Sequence, residues 1–72
     1  MSAVRQLRKY LQLSQSEFGA RVDRTQATIS EAEERGHIGR EAGLAILDAW
    51  RPEMQELRLT LEDLLRDRDA AA

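Results

Sequence analysis

The sequence predicts an all-α domain of five helices. Three observations predict it. Apolar residues recur at helical rather than alternating spacing; the segments between them are short and carry helix-capping residues; and the only proline, Pro52, stands where one helix can hand over to the next. At 72 residues the chain is one small domain, expected to span 1–69 with residues 70–72 as a frayed tail. A lone core of this size is marginal. The chain has no cysteine and a single histidine, so disulfides, thiolate metal sites and Cys/His zinc sites are excluded as reinforcement. Tight helix packing or a partner subunit is left to stabilise it.

The first helix is expected from near Ser2 to about Leu11, with Val4, Leu7 and Leu11 on one face and Arg5, Arg8 and Lys9 elsewhere. The second has the clearest start. Ser14-Gln15-Ser16-Glu17 reads as a capping box, and Leu13 with Phe18 has the spacing of a hydrophobic staple. Phe18 and Val22 then form its short apolar stripe. Asp23-Arg24-Thr25 breaks the pattern: Asp23 tolerates a left-handed backbone, and Thr25 can cap the next helix. The third helix runs from Gln26 to about Arg35, with Ile29 and Ala32 inward, Arg35 near the negative end of its dipole and Gly36 just past its end.

The fourth helix starts between residues 39 and 41 and ends near Trp50, with a broad apolar side of Leu44, Ile46, Leu47 and Trp50. Arg51, preceding proline, marks a boundary, and Pro52 suits the first position of a fifth helix. Met54, Leu57, Leu61 and Leu64 follow at heptad-like spacing. Either one helix continues from Pro52 to about Arg68, or Thr60-Leu61-Glu62-Asp63 caps a fresh one.

The formal net charge is −2, but it is uneven. Residues 1–30 carry five cations (Arg5, Arg8, Lys9, Arg21, Arg24) against two anions (Glu17, Asp23), whereas residues 53–72 carry three cations against six anions. A basic N-terminal half can therefore present a positive face despite the acidic total. No apolar run approaches the roughly 18 residues of a membrane span, and no apolar signal region follows Met1, so the expected compartment is the cytoplasm. No serine sits in a nucleophile motif, no glycine loop is built to cradle phosphate, and the carboxylate pairs Glu33-Glu34 and Glu62-Asp63 are adjacent in sequence. An enzyme is not expected, and neither is a cofactor or metal.

Two short helices joined by a tight turn, with a third behind, is the layout of a helix-turn-helix domain. The stretch Leu13-Ser14-Gln15-Ser16-Glu17-Phe18-Gly19, followed by Thr28-Ile29-Ser30 and Glu33, resembles the phage-repressor (Cro/cI-like, XRE-type) helix-turn-helix family. The resemblance covers about residues 4–36, its motif lies at about 14–34, and Leu61-Glu62-Asp63-Leu64-Leu65 looks like the family's closing helix. Asp23 replaces the turn glycine, Arg24 the apolar residue after it, and Gly19 a small alanine. One extra residue lies before Gly36, and about eight lie ahead of Leu61.

The resemblance implies a five-helix repressor-like domain that binds double-stranded DNA and regulates transcription as a bacterial or phage repressor. Gln15 and Gln26 match glutamines that work as a pair in the family, and Arg8 and Glu33 match a salt bridge. With the third helix in the major groove, Gln26, Ala27, Thr28 and Glu31 are the expected base contacts: glutamine pairs with adenine, a methyl group touches thymine, and glutamate accepts from cytosine. Gln15, Arg24, Thr25, Ser30, Arg35, His37 and Arg40 are the expected phosphate contacts. A unit this small reads few base pairs, so a homodimer on a palindromic operator is expected, with Trp50, Met54, Leu57, Leu61 and Leu64 as the candidate dimer surface and packing on the chain's own core as the alternative. Two rival readings are an antitoxin, with the acidic segment 53–69 binding a toxin, and an acidic helical interaction module without DNA binding.

Overall fold

The computed structural model describes residues 2–66 and is all-helical over them. The helices are α1 (Ala3–Leu11), α2 (Gln15–Arg21), α3 (Gln26–Arg35), α4 (Arg40–Ala49), α5 (Arg51–Glu56) and α6 (Leu61–Leu65). Their radius of gyration is 10.8 Å, matching the roughly 11 Å expected of a compact chain of this length.

The described residues thus form six helices rather than the expected five. The fresh start at Thr60 is the alternative that forms. Thr60 Oγ1 accepts from the Asp63 amide at 3.3 Å, and Asp63 Oδ2 accepts from the Thr60 amide at 2.8 Å, a reciprocal cap. α6 ends at Leu65, because Arg66 is already extended, so the helix expected to reach Arg68 stops short. The expected frayed tail at 70–72 lies outside the described residues. The boundary expected at Arg51 is present: Trp50 separates α4 from α5, Arg51 opens α5, and Pro52 sits just inside the helix, where its missing amide costs no hydrogen bond.

Three helices end in the same way. After α1, the Leu13 amide reaches the Arg8 carbonyl and the Gln12 amide reaches that of Lys9, with Gln12 at φ 59°. After α2, Arg24 bonds to Gly19 and Asp23 to Ala20, with Asp23 at φ 58°; after α5, Leu59 bonds to Met54 and Arg58 to Gln55, with Arg58 also at φ 58°. These are Schellman closures, which usually place glycine at the left-handed position. The expectation for Asp23 is met, and Gln12 and Arg58 adopt the same backbone without glycine's freedom.

The core draws on every helix: Val4 and Leu7 from α1, Phe18 from α2, Ile29 and Ala32 from α3, Ala42 and Ile46 from α4, Met54 from α5 and Leu64 from α6. Trp50, in the α4–α5 junction, stacks on Phe18 with ring centroids 4.6 Å apart. Ile38, between α3 and α4, is buried as well, and its amide donates to the Leu64 carbonyl at 2.8 Å. α4 and α6 meet at Gly43, where a Cβ would lie 2.9 Å from Leu65 Cδ2. Leu44, expected on the apolar side of α4, is instead exposed.

This packing corrects two expectations. Trp50, Met54 and Leu64 are 6%, 0% and 0% exposed, so they serve the chain's own core and offer no dimer surface; the break at Arg58 and Leu59 destroys the straight seam they seemed to share. Leu57 and Leu61 are only half-buried against that core. The acidic segment is no free tail through residue 66, since α5 and α6 each place a fully buried residue in the core. No helix among the described residues is long and apolar enough to cross a membrane.

Candidate nucleic-acid interface

α2 and α3 pack closely on each other, joined by the turn at 22–25. Gly19 makes the approach possible: a Cβ there would stand 2.6 Å from the Arg24 carbonyl oxygen and 3.1 Å from that of Thr25. Each helix starts under a side-chain cap. Ser14 Oγ accepts from the Glu17 amide at 3.0 Å and Glu17 Oε1 from the Ser14 amide at 2.9 Å. The bond from the Ser14 amide and, after it, that from the Ser14 hydroxyl favour the carboxylate and hold the Glu17 pKa below its ordinary value. Thr25 Oγ1 accepts from the Thr28 amide at 3.2 Å.

The result is that Gln15 and Gln26, the first residues of α2 and α3, face each other. Gln26 Nε2 donates to Gln15 Oε1 at 2.7 Å. Gln15 Nε2 in turn donates to Glu33 Oε1 at 3.3 Å. Glu33 is clamped by Arg8, whose Nε donates to Oε2 at 2.6 Å and whose Nη2 donates to Oε1 at 3.2 Å. Arg8 Nη1 also donates to the Leu13 carbonyl at 3.0 Å. A continuous hydrogen-bond chain therefore joins α1, the entry to α2 and the exposed start of α3. The bonds to Glu33 raise the Arg8 pKa further above its already high ordinary value.

Of the expected base contacts, Gln26, Ala27 and Glu31 are exposed and Thr28 is half-buried. Glu31 and Thr28 line one shallow groove with Ala32, Arg35, His37, Ile38 and Gly39. Gln15 and Ser30 line another with Arg5, Arg8, Glu33 and Glu34. Among the expected phosphate contacts, Arg35 and Arg40 are exposed. Arg40 opens α4, where the helix dipole disfavours a cation, so helix stability does not account for it. Arg24 is folded back, with Nη1 donating to the Asp23 carbonyl at 3.0 Å, and Thr25 is engaged as a cap with its hydroxyl 3.0 Å from that of Thr28. His37 is half-buried, and its Nδ1 is buried with no hydrogen-bond partner among the described residues.

Sequence reasoning missed the bond from Gln15 to Glu33. Its signal is spacing: Gln26 and Glu33 are seven residues apart, two turns of α3, and so lie on the same side of that helix. It also missed the exposed hydrogen bond from the Tyr10 hydroxyl to Glu56, which raises the Tyr10 pKa by stabilising the protonated phenol.

No protein-family model matches the chain, and no curated protein or solved structure matches it significantly.

Proposed function

We propose that this chain is a helix-turn-helix protein that binds double-stranded DNA sequence-specifically and represses transcription in the cytoplasm. In this reading α3 enters the major groove, and Gln26, Ala27, Thr28 and Glu31 meet base edges. The observation that carries it is the bond from Gln26 to Gln15. It holds an exposed amide at the start of α3 in one orientation, with an N–H and a carbonyl left over. Pre-oriented polar groups on a helix are what base readout in the major groove requires.

The surrounding charges support the reading in part. Arg5, Arg35 and Arg40 are exposed and can neutralise phosphates, which supplies affinity and register without sequence information. Glu31 and Glu34 oppose that attraction, so binding depends on precise seating rather than on bulk charge. A homodimer on a palindromic operator follows from the size of the unit. Of the apolar residues considered for its contact, Leu57 and Leu61 keep exposed surface.

The test is selection from a random duplex library at moderate salt, run with wild type and Gln26→Ala. The expected result is an enriched palindrome, with the variant relaxing one symmetric position in each half-site. If wild type enriches no sequence, the DNA-binding reading falls and an acidic protein-interaction module takes its place.

A further inference from the structure

An ionised carboxylate accepts hydrogen bonds and cannot donate them. Glu33, paired with Arg8 at 2.6 Å, therefore demands a donor from Gln15, and Gln15 Nε2 supplies it at 3.3 Å. An amide that turns its nitrogen to one neighbour turns its oxygen to the other. Gln15 thus faces Gln26 with an acceptor, and Gln26 must donate, which it does at 2.7 Å. One of the two N–H groups of Gln26 is thereby used inward. What remains is one donor and one carbonyl acceptor.

We infer that Glu33 is a specificity-determining positioning residue, which sets the polarity of the Gln26 amide so that it reads adenine in preference to guanine. The inference rests on the DNA-binding reading above. Adenine offers an acceptor at N7 and a donor at N6 in the major groove, whereas guanine offers two acceptors, N7 and O6. One donor and one acceptor match the first edge. If Gln15 were reversed, Gln26 would accept inward and turn both its N–H groups outward, which matches guanine. Glu33 itself need not touch DNA; its side chain is 7% exposed, and it acts by fixing Gln15.

Two substitutions release that polarity in different ways. Glu33→Gln keeps the shape but can donate or accept. Gln15→Met keeps the side-chain length, removes both bonds and leaves the Arg8–Glu33 pair in place, so it serves if the first variant folds poorly. Random duplex selections are run in parallel on wild type, Gln26→Ala and both variants, reading the adenine-to-guanine ratio at the position that Gln26→Ala relaxes. Wild type is expected to favour adenine by about tenfold or more, and both variants to bring the ratio within about threefold. A ratio unchanged in folded variants, with affinity lowered equally for the two bases, means a purely structural role and overturns the inference. So does a wild-type preference for guanine at that position. Absence of any enriched position in wild type overturns the DNA-binding reading itself, which separates the two failures.

Discussion

Arg8→Ala removes the clamp on Glu33 directly, and the size of its effect follows from the geometry of the pair. Arg8 makes two hydrogen bonds to Glu33 and one to the Leu13 carbonyl. The side chains of Arg8 and Glu33 are 16% and 7% exposed. An exposed pair contributes about 0–1 kcal/mol, whereas removing one partner of a buried pair costs about 3–5 kcal/mol because the other charge is stranded. At that exposure the pair lies nearer the buried limit, and the water that truncating Arg8 admits to Glu33 takes the cost somewhat below it. A loss of about 2–4 kcal/mol follows. A domain of this size has about 4–10 kcal/mol in all, and each kcal/mol moves Tm by about 4–8 °C. Thermal melts followed by circular dichroism at neutral pH should therefore show a fall of about 10–25 °C. Glu33→Ala should cost less, because Arg8 keeps the Leu13 carbonyl and reaches solvent, and the double variant should fall short of the sum by at least about 1 kcal/mol. A drop below about 3 °C for Arg8→Ala, or additivity within about 0.5 kcal/mol, would refute the argument that the clamp is effectively buried.

Gly19→Ala sets a Cβ 2.6 Å from a backbone carbonyl that cannot swing aside, so urea unfolding should show a loss of about 2 kcal/mol or more, while Gly39→Ala, with nothing within 4 Å of the new atom, should change stability by no more than about 0.5 kcal/mol. Arg58→Gly relieves a left-handed strain of about 1–2 kcal/mol against an entropic cost of about 0.5–1 kcal/mol, so it should raise Tm by a few degrees; a fall would mean that the Arg58 side chain contributes contacts of its own. The cap holds the Glu17 pKa down, so its contribution is fully present above the ordinary carboxylate range, about pH 4, and is lost as pH falls through the lowered pKa. The Tm gap between wild type and Glu17→Gln should accordingly be widest near neutral pH and close on strong acidification; a gap that ignores pH would show that the bond to the Ser14 amide does not need the charge.

The helix starts were legible because their chemistry is local. Ser14 with Glu17, and Thr25 before Gln26, declare themselves within four residues. Arg8–Glu33 and Gln15–Gln26 were legible only through the resemblance, because they join residues 25 and 11 positions apart. The link between those two pairs was not, since it depends on how Glu33 Oε1 is shared between Arg8 and Gln15. The end of α5 shows a different limit. Met54 to Leu64 keeps apolar spacing straight through a break, and only the left-handed turn at Arg58 ends the helix. Leu59, whose side chain packs against the core just after that turn, was the available sign, since Schellman closures favour an apolar residue there. Leu44, expected on the apolar side of α4, is exposed for a related reason: which face of a helix is buried depends on where the neighbouring helices lie, and periodicity alone does not fix that.

The bond between Ile38 and Leu64 bears on how the protein is made. Ile38 and the faces of α1 and α4 wait for a cover, α6, that is translated after all of them. While the ribosome is still adding residues up to Leu59, the helices that carry the candidate interface are already synthesised, yet the core beneath them stays open. A nascent chain in this state exposes apolar surface to chaperones and proteases. A premature stop codon anywhere ahead of Leu64 would therefore leave that apolar surface uncovered and the product open to proteolysis.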